Sequence, residues 1–210
     1  MRTIDHFMLG GARLDHLAGQ FGELTGAQVQ AGGRHPDLGT HNALLGTGGA
    51  AYLELIAPDP SVERCNPLRN ELNGMIHATL CRFIVQAGAS DFPALAEVYA
   101  DEGWAAPVYD LSRETPTGQV LRWQLMIPDA GPAALFAPFF IDWQNTPHPS
   151  QTLPDSGCRW RDAEAGHPQA SWLRELWQHL GVEIPVVRAT RPYLRVVLEA
   201  PLGDVVLHSG

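Results

Sequence analysis

The feature that most constrains this chain is a recurring order of elements: one strand, one helix, then three strands. Residues 3–9 alternate as a strand, with Ile4, His6 and Met8 facing one way and Phe7 and Leu9 the other. Gly10-Gly11 breaks the strand, and Leu14, Leu17, Ala18, Phe21 and Leu24 then recur at helical spacing as far as Gly26. Residues 27–31, 40–45 and 51–57 read as strands, the last two joined by a tight turn at Gly48-Gly49. The order then returns. Residues 78–85 form a strand, Asp91 caps a helix carrying Phe92, Leu95, Ala96 and Tyr99, and 106–111, 120–127 and 136–143 are strands. A shorter third copy has a strand at 158–163, a helix at 170–180, and strands at 186–189, 193–198 and 205–208. A short helix at 67–72 and a Pro-rich connector at 146–154 lie between the copies.

A unit this short cannot cover both faces of its own sheet, so units pair, each closing one face with its helix and leaving the other concave. The expected fold is α+β: paired βαβββ units in a cupped mixed sheet, with a shorter third βαβββ-like unit at the C-terminus. Residues 1–150 are expected to hold the two units (3–57 and 78–143), and 151–210 the additional unit packed on them.

Composition narrows the function. The formal net charge is −9, and the basic residues are scattered arginines with no lysine, a bias that fits a GC-rich genome. An acidic chain without a basic stripe argues against nucleic acid or an anionic membrane as partner. No apolar run is long enough to span a bilayer. Asp5 and His6 interrupt the place where a signal peptide needs apolar residues, so a cytoplasmic protein is expected. Cys65, Cys81 and Cys158 are odd in number, lack metal-type spacing, and read as reduced thiols. Absent too are a phosphate-binding Gly-rich loop followed by Lys, a Lys for a Schiff base and a Gly-x-Ser-x-Gly turn.

Strand parity then picks out the cleft. If Phe7 and Leu9 face the helix, His6 faces the concave side; if Leu53 and Leu55 face the helix, Tyr52, Glu54 and Ile56 face the cleft. An imidazole and a carboxylate converging there make half of a divalent metal site.

Ile4-Asp5-His6, the run Gly32-Gly33-Arg34-His35-Pro36 through Gly39-Thr40-His41-Asn42, and Tyr52-Leu53-Glu54-Leu55 together resemble the glyoxalase-like branch of the vicinal oxygen chelate superfamily. Pro138-Phe139-Phe140-Ile141-Asp142-Trp143 and His148-Pro149 extend the likeness. The resemblance implies a cupped sheet holding a divalent metal ion, with ligands from the first and last strands of each unit. It makes His6 and Glu54 the first unit's ligands and puts Asp142 where Glu54 falls in the second. Arg82 takes the place analogous to His6 and cannot ligate a metal. Glu54 is then either ligand or catalytic base. His35, Thr40, Asn42, Arg82, Trp143 and His148 are expected to contact the substrate, and the resemblance allows a homodimer.

Two small-molecule readings stay open, beside a pure interaction scaffold that has only the repeated architecture in its favour. One is a metal-assisted lyase, isomerase or ring-cleaving dioxygenase acting on a small oxygen-rich metabolite. The other is a metal-free, resistance-type protein that sequesters a small molecule in the same cleft. Arg82 predicts an anionic or enolisable ligand, such as a 2-oxo acid or a phenolate, if Asp142 and Glu54 are engaged elsewhere. Each residue also has a plainer reading. His6 would be a hydrogen-bonded core histidine, Glu54 a salt bridge to Arg82, Asp142 and Trp143 a strand end with its plug, and His148 a rigid turn. The tryptophans Trp160, Trp172 and Trp177 read as core of the third unit.

Overall fold

The structure is a computed structural model describing residues 1–63, 66–115, 118 and 120–209. The alternation around Phe7 produces β1 (Ile4–Gly10), followed by α1 (Leu14–Thr25), β2 (Gln30–His35), β3 (Thr40–Gly46) and β4 (Tyr52–Pro58). Leu17, Phe21 and Thr25 are the buried side of α1, whereas Leu24 is exposed. Gly26 ends the helix at φ 72°, a left-handed conformation that glycine adopts without steric cost. A linker helix, α2 (Pro67–Asn73), starts on an Asn66 side chain that accepts the Arg69 N–H.

The second unit repeats the order: β5 (Thr79–Gln86), α3 (Phe92–Asp101), β6 (Val108–Glu114), β7 (Val120–Met126) and β8 (Phe139–Asp142). The expected strand at 136–143 is therefore half as long, beginning only at Phe139. β2 runs on to His35, past the expected strand end at 31, and pairs with β3.

The two units close into one eight-stranded barrel in the order β1-β4-β3-β2-β6-β7-β8-β5. At the seam between β2 and β6, Arg34 lies opposite Glu114. At the other junction β1 and β5 run antiparallel, with Phe7 opposite Phe83, His6 opposite Ile84 and Met8 opposite Arg82. That register is a local pseudo-twofold, so His6 matches Arg82 and Met8 matches Ile84. Each strand also carries one extra residue, Asp5 in β1 and Cys81 in β5, where the pairing slips. Such bulges re-aim side chains.

Alternation sorts the side chains of the barrel strands. Phe7, Leu9, Leu53, Leu55, Phe83 and Val85 point outward into a core roofed by the helices. Met8, Ile56, Ile84, Leu111, Trp123 and Phe139 belong to a second apolar cluster inside the barrel. Fully burying a side chain such as Leu53 or Leu55 contributes about 1.5–3 kcal/mol, so slipping either strand by one residue would be costly.

The third copy keeps the element order: β9 (Arg159–His167), α4 (Ala170–Leu180), β10 (Val186–Arg188), β11 (Tyr193–Ala200) and β12 (Gly203–His208). Its strand order is different. In the first two units the first strand lies beside the last, but here β10 lies parallel to β9 and the sheet runs β10-β9-β11-β12. This unit shares the outer core: Leu173 and Trp177 of α4 and Leu194 and Val196 of β11 join the cluster of Phe7 and Phe83. Trp160 and Trp172 pack against it, so the three tryptophans of this unit serve the core. No helix among the described residues is long and apolar enough to cross a membrane.

Candidate functional site

The barrel interior encloses a cavity of about 60 Å³. A single water needs roughly 10–15 Å³ of such space, so the enclosed part suits a ligand end of a few non-hydrogen atoms. One wall is polar, made by His6, His35, Asn42, Glu54 and Arg113; the facing wall is apolar, with Ile84, Leu125, Phe139 and Ile141.

His6 and Glu54 meet because β1 and β4 are parallel neighbours, with His6 beside Tyr52 and Met8 beside Glu54. His6 Nε2 stands 3.2 Å from Glu54 Oε2, and the ring stacks on Tyr52 at 4.5 Å between centroids. The bulge at Asp5 brings a carboxylate to the other ring nitrogen, with Nδ1 2.6 Å from Asp5 Oδ1. Asp5 is wholly buried, and its Oδ2 accepts from Trp143 Nε1 and His148 Nε2, each at 2.9 Å. The Ser150 backbone N–H donates to His148 Nδ1, which leaves His148 Nε2 as the donor to Asp5.

The other oxygen of Glu54, Oε1, accepts from the Asn42 amide. Asn42 Oδ1 in turn accepts from the Gly33 N–H at 2.8 Å and from Arg113 Nη1 at 3.3 Å. A Cβ on residue 32 would lie 2.0 Å from that same Oδ1, so only glycine lets the backbone come this close. Asn42 Nδ2 is 3.4 Å from His35 Nε2, and His35 Nδ1 donates to Thr40 Oγ1 at 3.1 Å.

These contacts set the charges. Burial works to lower the His6 pKa, but the hydrogen bonds and charges of Asp5 and Glu54 outweigh it and raise it to about 9. Burial likewise works to raise Asp5, yet the bonds from His148 and His6 hold it well below the usual carboxylate range. Glu54 is also opposed by burial and brought down to about 2, chiefly by His6. His35 is pushed down to about 4 by burial, with the positive charges of Arg113 and His6 adding to it against the pull of Glu54. At neutral pH the site therefore holds an imidazolium at His6 and a neutral imidazole at His35. Two titratable groups driven apart in this way can serve as acid and base.

Of the expected site residues, His6, His35, Asn42, Glu54 and Trp143 line the cavity. Thr40 is buried behind His35, and His148 stands behind Asp5. Arg82 and Asp142 are not brought to the cavity. Arg82 sits at the position matching His6, as parity requires, but Glu71 on α2 takes its guanidinium in two bonds of 2.6 and 3.1 Å. Its partner is thus neither Asp142 nor Glu54. Asp142 ends β8 and accepts the backbone N–H groups of Ala89 and Gln144. The strand register explains this difference. Glu54 lies beside Met8 and Phe139 beside Ile84, so Phe139, three residues before Asp142, is the true counterpart of Glu54.

The divalent ion implied by the resemblance would need donors from both units. At the second unit's two positions stand Arg82 and Phe139, and neither offers a lone pair. Among the described residues no group of three or more His, Cys, Asp or Glu side chains is arranged to hold an ion. The donor set does not fit a resident divalent metal.

Asp5, behind His6, and Arg113, in the polar wall, are not among the residues singled out from the sequence. Strict alternation sends Asp5 away from His6, and only the bulge reverses that; its one signal was a carboxylate in an apolar strand. Arg113 lay beyond the expected strand end at 111, whereas β6 runs to Glu114. Cys81 and Cys158 are buried free thiols, the former pushed up to about 12 by burial; Cys65 lies outside the described residues.

The two pseudo-symmetric βαβββ units close into one sheet with a polar cluster inside, the arrangement that the glyoxalase-like resemblance implies. The glyoxalase-like domain family matches residues 4–181, and the chain belongs to that family. No curated protein matches it. Among solved structures it is similar to a hypothetical protein from Staphylococcus aureus, at 16% identity and a TM-score of 0.61, over 100% of this chain and 86% of that one. It also matches methylmalonyl-CoA epimerase from Mycobacterium tuberculosis at 18% identity and a TM-score of 0.43, over 66% of this chain and 84% of that one. A Streptomyces coelicolor methylmalonyl-CoA epimerase in complex with 2-nitronate-propionyl-CoA matches at 19% and 0.44, over 66% of this chain and 93% of that one. At identities this low, the likeness to the staphylococcal protein is one of fold.

Proposed function

We propose that the barrel cavity is the active site of a small-molecule enzyme of the isomerase or lyase type, in which Glu54 and His6 pass a proton. The observation that carries this reading is the approach of His6 Nε2 to Glu54 Oε2 at 3.2 Å inside the cavity, with Asp5 fixing the ring from behind. A ligand carbonyl inserted between the two would separate them. Freed of its imidazolium, the buried Glu54 carboxylate becomes a stronger base, because desolvation disfavours its charged form. It then takes a proton from the carbon next to the carbonyl. The electron pair of that C–H bond moves to form the enolate, and His6 Nε2–H supplies a proton to the enolate oxygen. Protonating that carbon on its other face, or the former carbonyl carbon in its place, gives an isomer; expelling a group from the next carbon gives a lyase. A ring-cleaving oxygenase finds less support, since its iron takes three protein ligands and no three His, Cys, Asp or Glu side chains among the described residues are arranged to hold an ion.

The second reading, a sequestering protein, is favoured by the apolar facing wall, which would hold a ligand without reacting. Deuterium exchange at C3 of 2-oxobutyrate in D₂O separates the two. An enzyme exchanges the proton and loses that ability in Glu54→Gln; a sequestering protein binds the ligand and exchanges nothing.

A further inference from the structure

The two buried arginines differ in one respect. Arg82, 9% exposed, has Glu71; Arg113 is more buried still, at 6%, and makes no ion pair among the described side chains. Even well-solvated arginines of this chain, such as Arg13 and Arg161, have acidic partners. A guanidinium out of water needs an anion or a full set of acceptors, and the contact seen here is one neutral amide oxygen, Asn42 Oδ1 at 3.3 Å. The nearby carboxylates are taken: Asp5 by three donors, and Glu54 by His6 and Asn42. Arg113 lines the cavity itself, beside Leu111 and Trp123.

We propose that Arg113 is the substrate's anion receptor, and that the cavity takes a short 2-oxo acid with its carboxylate on the Arg113 fork and its C3 carbon towards Glu54. This assignment rests on the proton-transfer reading of the same cavity and names the substrate class for it. Asn42 sets the spacing. Its amide touches Arg113 on one side and Glu54 on the other, so a carboxylate on Arg113 leaves its chain one amide's width from Glu54. In a 2-oxo acid the acidic C–H lies two carbons beyond the carboxylate, next to the keto group, and this span brings it to the base while the keto oxygen meets His6 Nε2. Planar, two-pronged geometry favours a carboxylate on an arginine, where a lysine would bind as a point charge. The facing wall of Leu125, Phe139 and Ile141 suits an apolar chain on the remainder.

The test is calorimetric titration of the full chain with 2-oxobutyrate and with its uncharged methyl ester, in the wild type, Arg113→Met and Arg113→Lys. The wild type is expected to bind the acid at least about tenfold more tightly than the ester, since hydrogen bonds to charged groups are the strong ones. Arg113→Met should remove that preference, bringing acid and ester to similar affinities, and Arg113→Lys should restore part of it, which also guards against a variant that merely fails to fold. Equal affinity of the wild type for acid and ester overturns the assignment, as does a preference that survives in folded Arg113→Met. Neither outcome touches the proton-transfer reading, which fails separately if Glu54→Gln exchanges deuterium into bound ligand as fast as the wild type.

Discussion

His6 and Arg82 occupy equivalent positions about the local twofold that relates β1 to β5, His6 opposite Ile84 and Arg82 opposite Met8. One ring opens on the cavity between two carboxylates; the other side chain is clamped by α2 through Glu71. The first unit thus carries the polar wall and the second supplies mainly apolar lining and Arg113. Arg82→Met should therefore leave ligand binding unchanged within about twofold, while costing on the order of 1–3 kcal/mol in urea unfolding from the lost charge-assisted bonds. Binding that falls tenfold in a stably folded Arg82→Met would put Arg82 back in the site.

The two cavity histidines predict a narrow stability optimum. The folded pKa of His6, about 9, is above its ordinary 6.5, so its contribution is complete below 6.5 and is lost as pH rises through 9. That of His35, about 4, is below 6.5, so its contribution is complete above 6.5 and is lost as pH falls through 4. Unfolding free energy should peak near neutrality and fall on both sides by a few kcal/mol. His35→Gln should flatten the acid side alone. An acid side unchanged in that variant would contradict the assignment.

Asp5→Asn tests the carboxylate behind the imidazole. Removing that charge should lower the His6 pKa by at least about one unit, as read from ring proton shifts across a pH series. The alkaline side of the stability curve should move down with it. A His6 titration that stays in place would mean that Glu54 alone sets its charge.

Gly32→Ala tests the support of Glu54. The added methyl would meet Asn42 Oδ1 at 2.0 Å, and the amide must shift away from Glu54. Overpacking of this kind costs about 1–3 kcal/mol. The Glu54 pKa should rise as its donor leaves, whereas Gly49→Ala, with open space around it, should do neither. Equal behaviour of the two variants would show that Asn42 does not depend on the bare backbone at residue 32.

Much of this site could be read in the chain before its structure. The alternation of Phe7 and Leu9 with His6 and Met8, and of Leu53 and Leu55 with Glu54, is a consequence of one covered face and one concave face, and it put His6 and Glu54 together. Asp5 was hidden because a bulge breaks the two-residue period that the reading depends on. Arg113 and Phe139 were hidden for another reason. Strand ends and cross-strand register come from pairing between distant segments, and no local pattern marked where β6 stops or where β8 begins. The different strand order of the third unit has the same origin.

The account's central claim is that Glu54 and His6 move a proton, and deuterium entering C3 of 2-oxobutyrate across roughly pH 5 to 10 measures it. Wild-type protein should exchange at a rate that holds near neutrality and declines as pH rises through about 9, where His6 loses its proton. Glu54→Gln should exchange no faster than buffer at every pH. Exchange in Glu54→Gln at the wild-type rate, or wild-type protein that binds the acid and never exchanges it, would contradict the account.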